Sequence, residues 1–190
     1  MRSPSNQGDS SWKVAFLNTD GKFQDDHVIR KIVEKVEEQA RTNWRSVDVK
    51  NLSVRCVEYH KQVAPGPGIS DYKHYDMDSV YTVDIMLSQP DSFTGGVFQT
   101  LEVDNSIIKH EKFGAHAGDA VAFVSHKYHA VGKVEMGTRR VLVVEFWRCD
   151  KTAASALSHE KRVSTITNSF AQRSSANLPP PMRVLIAVKV

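Results

Sequence analysis

The sequence predicts a mainly β fold, a sandwich or barrel of antiparallel strands preceded by one helix. Two observations carry this. Apolar residues recur with a period of two in many short segments punctuated by turn residues, and one earlier segment alone keeps a helical period. A third observation bounds the size of the core. At 190 residues, 41% hydrophobic and 25% charged, the chain is long enough to bury one substantial interior.

Residues 1–11 are polar and read as a disordered lead-in. Trp12, Val14 and Phe16 alternate with Lys13 and Ala15, which predicts a short strand. Thr19-Asp20-Gly21 marks a turn. A helix capped by Asp25 or Asp26 and ending near Asn43 or Trp44 follows. Val28, Ile29, Ile32, Val33, Val36 and Ala40 form its apolar stripe, with Lys31, Glu34, Lys35 and Glu38 outside it.

From Leu52 the period is two: Leu52, Val54 and Cys56 alternate with Ser53 and Arg55, and Tyr59 follows. Ala64-Pro65-Gly66-Pro67-Gly68 must be a loop, because two prolines and two glycines interrupt any ladder. Strands are expected over 81–87, 97–103, 120–124 and 139–147, with turns at Gly95-Gly96 and Gly118-Asp119. Residues 12–150 therefore form one domain. Residues 151–190 are a Ser/Ala-rich tail, expected to be disordered or loosely docked, in which Pro179-Pro180-Pro181 is extended and Met182 to Val190 is apolar enough for a last strand.

The net charge of +3 is mild and no basic stripe is visible, so neither nucleic acid nor an anionic membrane is an expected partner. Cys56 and Cys149 are too few for a disulfide framework and lack zinc-type spacing. The N-terminal residues show no apolar signal segment, and no apolar run is long enough to span a bilayer. The default expectation is a soluble cytoplasmic protein, or a secretory-pathway protein if a leader has been lost. Nothing in the sequence speaks to oligomeric state.

The chemistry-bearing pattern is His74-Tyr75-Asp76, a later His129, and Arg139 ten residues beyond it. On a strand, residues two apart share a face, so His74 and Asp76 can reach one metal while Tyr75 points away. His129 would supply a third ligand from another strand. Two imidazoles and a carboxylate on one face of an octahedron leave three positions open, the facial triad of non-haem iron(II) oxygenases. The same set with an open position also suits catalytic zinc. Arg139 favours iron, because a planar guanidinium answers the far carboxylate of a metal-chelating 2-oxo acid with a bidentate pair.

A lone His-x-Asp is weak, since it occurs by chance and the chain has eight histidines. Taken alone, the pair is more often a polar surface feature. Its strand context, the Gly-Thr-Arg string at Gly137–Arg139 and the Phe93-Thr94-Gly95-Gly96 turn raise its weight. His126 competes with His129 as ligand, but the spacing to Gly-Thr-Arg favours His129. Arg140 falls on the opposite strand face from Arg139. Asp84 is open between a cavity position and a solvated one. His27, His60, His110, His116 and His159 read as surface histidines.

Together, His74-Tyr75-Asp76, Tyr81 to Ser88, Phe93 to Phe98, Gly118 to Phe123, His129-Ala130-Val131 and Gly137-Thr138-Arg139 resemble the iron(II)/2-oxoglutarate dioxygenase domain of the prolyl and lysyl hydroxylase branch. The resemblance spans roughly residues 12–148. It implies a double-stranded β-helix, or jelly roll, with a flanking N-terminal helix. It implies Fe(II) on His74, Asp76 and His129, and 2-oxoglutarate paired with Arg139. Tyr59 and Thr82 are further candidate contacts for the co-substrate. The implied reaction consumes O2, uses ascorbate as reductant and hydroxylates a C–H bond, with a peptidyl proline or lysine as the favoured substrate. A small-molecule substrate is an alternative. The rival of another class is a cupin-like metal-binding or sensor protein without turnover. The segments 62–71 and 104–116 are expected to border the site.

Overall fold

The computed structural model describes residues 11–17, 27–43, 52–102, 104–111, 113–148 and 186–189. Its elements are β1 (Trp12–Phe16), α1 (His27–Asn43), β2 (Leu52–Val63), β3 (Ile69–His74), β4 (Tyr81–Met86), β5 (Phe93–Gly95), β6 (Phe98–Leu101), β7 (Ile107–Lys109), β8 (Asp119–Val124), β9 (His129–Val131), β10 (Val134–Arg148) and β11 (Ile186–Lys189). Seven strands form one sheet, in the order β1-β2-β10-β4-β8-β11 with β5 laid against β10. Four form a second, in the order β3-β9-β6-β7. Every pairing is antiparallel. This is the jelly-roll arrangement, in which two sheets close over one core.

Directly opposed residues of an antiparallel ladder point to the same face. The registers of β2, β4 and β8 around β10 therefore sort the large sheet into two faces. One carries Gln62, His60, Glu58 and Cys56, then Arg139, Val141, Val143 and Glu145, then Met86, Asp84 and Thr82, then Val121 and Phe123. This face meets the smaller sheet: Phe123 lies 5.3 Å from Phe98 and 4.7 Å from His129, ring centre to ring centre. The other face carries Val57, Val144, Val83, Ile85, Ala120 and Ala122. Ile29 and Ile32 of α1 are buried in the same apolar cluster. The helix supplies an apolar stripe to a sheet that already has one polar-lined face inward.

β4 is central, with neighbours on both sides and both faces covered, so all six of its residues are buried. The sequence reading split it into an apolar and a polar face. The structure buries both, and the polar face becomes the lining of the interior.

β10 begins at Val134, five residues before the expected start, because its first part pairs with β5. Gly137 in that stretch has φ +75°, and a Cβ there would lie 2.0 Å from the Ser92 carbonyl oxygen. Only glycine allows this approach. The short strands β5, β7 and β9 were not legible as separate elements, since three residues are too few to show a period. Residues 186–189, within the apolar end of the tail, pair with β8. The proline triplet and the rest of the tail lie outside the described residues, as do residues 1–10 of the lead-in, Cys149 and His159. Among the described residues, no helix is long and apolar enough to cross a membrane.

Candidate metal and co-substrate site

The first ligand candidates are delivered by the smaller sheet. His74 ends β3 and His129 begins β9, and the two stand directly opposite in the ladder. Their rings meet edge-on, 4.9 Å apart. Asp76 lies past the end of β3, so the expectation that it shares a strand face with His74 is corrected. A turn at Met77-Asp78, with Asp78 at φ +69°, ends the strand geometry. What brings Asp76 to the histidines is its own backbone N–H, which donates to the Ser125 carbonyl at 2.9 Å.

The donor atoms converge. Asp76 Oδ1 lies 3.5 Å from His74 Nε2 and 3.7 Å from His129 Nε2. One ligating atom from each of the three residues falls within 4.8 Å of the others. Thr82 donates its hydroxyl proton to Asp76 Oδ2 at 2.5 Å. Having only that one proton, Thr82 must accept from Ser125, whose hydroxyl lies 2.9 Å away. The outer oxygen of Asp76 is thus tied down and the inner one is left facing the imidazoles. His129 Nδ1 is 2.9 Å from the Lys127 carbonyl. A carbonyl only accepts, so Nδ1 carries the proton and Nε2 keeps its lone pair for a metal.

Electrostatics agree with a ligand role. Burial pushes the His129 pKa down, so its imidazole is neutral at neutral pH. His74 is less buried, and its hydrogen bond with Asp76 raises its pKa above the ordinary 6.5. Burial works to raise Asp76, but the His74 hydrogen bond, the His129 charge and the Thr82 hydrogen bond prevail and hold it below the usual carboxylate range. Two nitrogen donors and one anionic oxygen with an open side fit a divalent cation of iron or zinc type.

Arg139 is 3% exposed and lies on the interior face of β10. Its Nη1 donates to Gln62 Oε1 at 2.9 Å, while its Nε and Nη2 have no partner among the described residues. Buried donors without partners are costly and uncommon in native folds. Nε and Nη2 on one edge of a guanidinium are the pair that a carboxylate accepts from. Gly96, at φ +64°, makes room for this side chain, because a Cβ there would lie 2.6 Å from Arg139 Cδ. Burial depresses the Arg139 pKa to about 10, which still leaves it charged at neutral pH.

Two sequence candidates fall elsewhere. Tyr59 pairs with Leu142 and Ala15, three residues from Gln62, and so lies on the opposite sheet face from Arg139. It is not part of this grouping. Thr82 is in the interior, but its hydroxyl serves the candidate ligand Asp76.

His60 and His110 are not the surface residues expected. His60 takes the interior position opposite Val141, with its Nε2 2.9 Å from Glu58 and its Nδ1 accepting from Trp12 at 3.3 Å. His110 hydrogen-bonds Thr100 at 2.8 Å and packs on Phe98. His126 is exposed, with its ring against Tyr75.

Gln62 and Glu145 were missed by sequence reasoning. Glu145 is buried beside Thr82, where Ser79 donates to it at 2.6 Å and Arg55 pairs with it. Burial raises its pKa. The available signal was the run Cys56, Glu58, His60, Gln62 at a period of two, a polar stripe on a long strand.

The chain matches no protein-family model and no curated protein. Solved structures do resemble it. A 2OG-Fe(II) oxygenase family oxidoreductase from Burkholderia pseudomallei superimposes with a TM-score of 0.50 at 17% identity, covering 73% of this chain and 68% of that one. The chain has the fold of that oxygenase. Two further matches are weaker. The viral collagen prolyl hydroxylase of Paramecium Bursaria Chlorella virus-1, in its 2OG complex, has a TM-score of 0.49 at 18% identity, covering 73% of this chain and 79% of that one. A Trichoplax adhaerens prolyl hydroxylase, in complex with a hypoxia inducible factor peptide fragment, has a TM-score of 0.48 at 18% identity, covering 77% and 67%.

Proposed function

We propose that the protein is an iron(II)- and 2-oxoglutarate-dependent dioxygenase that hydroxylates a C–H bond. The observation that carries this reading is the pairing of two features in one interior. The donor atoms of His74, Asp76 and His129 converge, and a buried guanidinium on the sheet face that also carries Thr82 holds two N–H donors unmet among the described residues. The first is a half-open metal set. The second is a receptor for a carboxylate. A metal-chelating 2-oxo acid with a distal carboxylate satisfies both at once. A metal sensor without turnover needs the first feature but gives no account of the second.

His74, Asp76 and His129 would hold the iron, which when bound supplies oxygen activation coupled to conversion of 2-oxoglutarate to succinate and carbon dioxide. The protein's own part is positioning. Thr82 and the Lys127 carbonyl orient two of the ligands. Arg139, steered by Gln62 and given room by Gly96, fixes the far end of the co-substrate. Phe98 and Phe123 pack against His129 and keep water from that side. Ascorbate would serve as the external reductant.

A peptidyl proline is the favoured substrate, with peptidyl lysine second. Tyr75, His126 and Tyr128 form an aromatic group beside the ligands, with ring separations of 6.1 Å and 5.9 Å from Tyr75. Aromatic surfaces suit proline-rich extended peptides.

The test is succinate formation from 2-oxoglutarate with Fe(II) and ascorbate, followed by a screen of proline- and lysine-containing peptides for a one-oxygen mass gain. Activity is expected in the parent and absent from Asp76→Ala and His129→Ala. Equal turnover in all three proteins would sink the reading. If the parent neither turns over nor develops a visible charge-transfer band with anaerobic Fe(II) and 2-oxoglutarate, the sensor reading replaces it.

A further inference from the structure

Asp84 is a buried carboxylate with no task in the site described so far. It stands at the middle of β4 on the interior face, opposite Val143 of β10 and Val121 of β8. It is 7% exposed, and its carboxylate accepts no hydrogen bond from a described residue. Such a group normally finds a donor.

Its place along the face suggests why it is left without one. Two residues away in one direction is Thr82, bound to Asp76. Two residues away in the other is Met86, opposite Val141, and the next inward residue along β10 is Arg139. The interior therefore reads, in order, metal ligand, Asp84, Met86, arginine. A dicarboxylate held by the metal at one end and by Arg139 at the other would run along the face that carries Asp84.

An ionised Asp84 would then be a third carboxyl charge in the same interior, where like charges repel more strongly than in bulk water. A metal dication and the co-substrate dianion cancel each other and bring Asp84 no counter-charge. We propose, building on the dioxygenase reading, that Asp84 couples co-substrate binding to proton uptake, so that the dicarboxylate and one proton are taken up together.

The groups around Asp84 are consistent with this. Burial and Asp76 push its pKa up to about 7, Arg139 and His60 pull it down, and Glu145 pushes it up. Glu58 lies across Val143 on the same face and is tied to His60. From the smaller sheet, His129 packs on Phe123, the β8 residue opposite Thr82. In the metal-free protein Asp84 is thus divided between its two forms near neutrality; a bound dication lowers that midpoint, and the dicarboxylate shifts Asp84 back toward the neutral form. Binding is then full-strength below Asp84's free pKa and weakens as pH rises through it, by roughly tenfold per pH unit.

The experiment is calorimetric titration of 2-oxoglutarate into the full-length protein preloaded with Mn(II), in buffers of different ionisation enthalpy. With the metal already in place, His74 and His129 are held as neutral imidazoles and take up no proton near neutral pH. The expected result is net proton uptake above neutral pH and a Kd that weakens with pH. Asp84→Asn should still bind but lose both the uptake and the slope, and Asp84→Leu should do the same if the asparagine variant fails to fold. Undiminished uptake in the variants overturns the inference and leaves the dioxygenase reading standing. Failure of the parent to bind 2-oxoglutarate at any pH overturns both.

Discussion

Replacing Arg139 with methionine should move folding stability and co-substrate binding in opposite directions. Arg139 is 3% exposed, with one donor satisfied by Gln62 and two unsatisfied. Its pKa sits at about 10 rather than 12.5, so the fold disfavours the charged form at every pH below that value. At 1.36 kcal/mol per unit this corresponds to a cost of about 3 kcal/mol at neutral pH. Methionine removes the charge and fills much of the same volume. It also leaves the Gln62 carbonyl without a donor, a loss of about 1–3 kcal/mol. The metal-free variant should therefore be as stable as the parent or more so, by up to ~2 kcal/mol.

Binding should go the other way. Two charge-assisted hydrogen bonds contribute about 1.5–3 kcal/mol each, so their loss should weaken 2-oxoglutarate binding roughly a hundredfold to ten-thousandfold. Urea unfolding followed by tryptophan fluorescence measures the first quantity, and anaerobic calorimetry with the metal-loaded protein measures the second. A variant that binds 2-oxoglutarate within about fivefold of the parent, under one kcal/mol, would refute the reasoning. So would a loss of several kcal/mol in stability, which would make Arg139 a structural residue.

Three further outcomes are expected. Thr82→Val deletes the hydroxyl that steadies Asp76 Oδ2 and should lower metal affinity about 10–100-fold with little change in fold, as measured by metal titration and circular dichroism. Gly96→Ala combines a strained φ of +64° with a Cβ 2.6 Å from Arg139 Cδ, and should cost about 1–3 kcal/mol of stability while raising KM for 2-oxoglutarate more than it lowers kcat. Metal binding should weaken on acidification, because a ligating imidazole must be neutral. His74 holds its proton to a pH above the ordinary 6.5, so the loss should begin near neutrality and continue below it, read as Mn(II) affinity across a pH series. A flat profile there would remove His74 from the ligand set.

Much of the site was legible in the chain because spacing alone reports it. His74, Asp76, His129 and Arg139 stood out by residue type, order and the glycines around them, and the structure brings the first three donor sets within 4.8 Å. The reason offered for His74 and Asp76 meeting was mistaken in part. Strand periodicity accounts for His74, whereas the Ser125 carbonyl holds Asp76. Tyr59 was a candidate by family resemblance, and neither that nor the local alternation shows which parity of β2 faces inward. That depends on the partner strand, and only the pairing of Gln62 with Arg139 sets it.

The sequence by itself determined the class of fold, the candidate ligands and the arginine, since strand period, turn glycines and residue chemistry are local properties. The tertiary structure decided which polar residues share the interior. Gln62 meets Arg139 across 77 residues of chain, Glu145 meets Ser79 across 66, and Asp84 is flanked by strands from two other parts of the sequence. Cross-strand register and burial are properties of the assembled sheet, and the pKa of a buried group depends on charges that only folding brings near it.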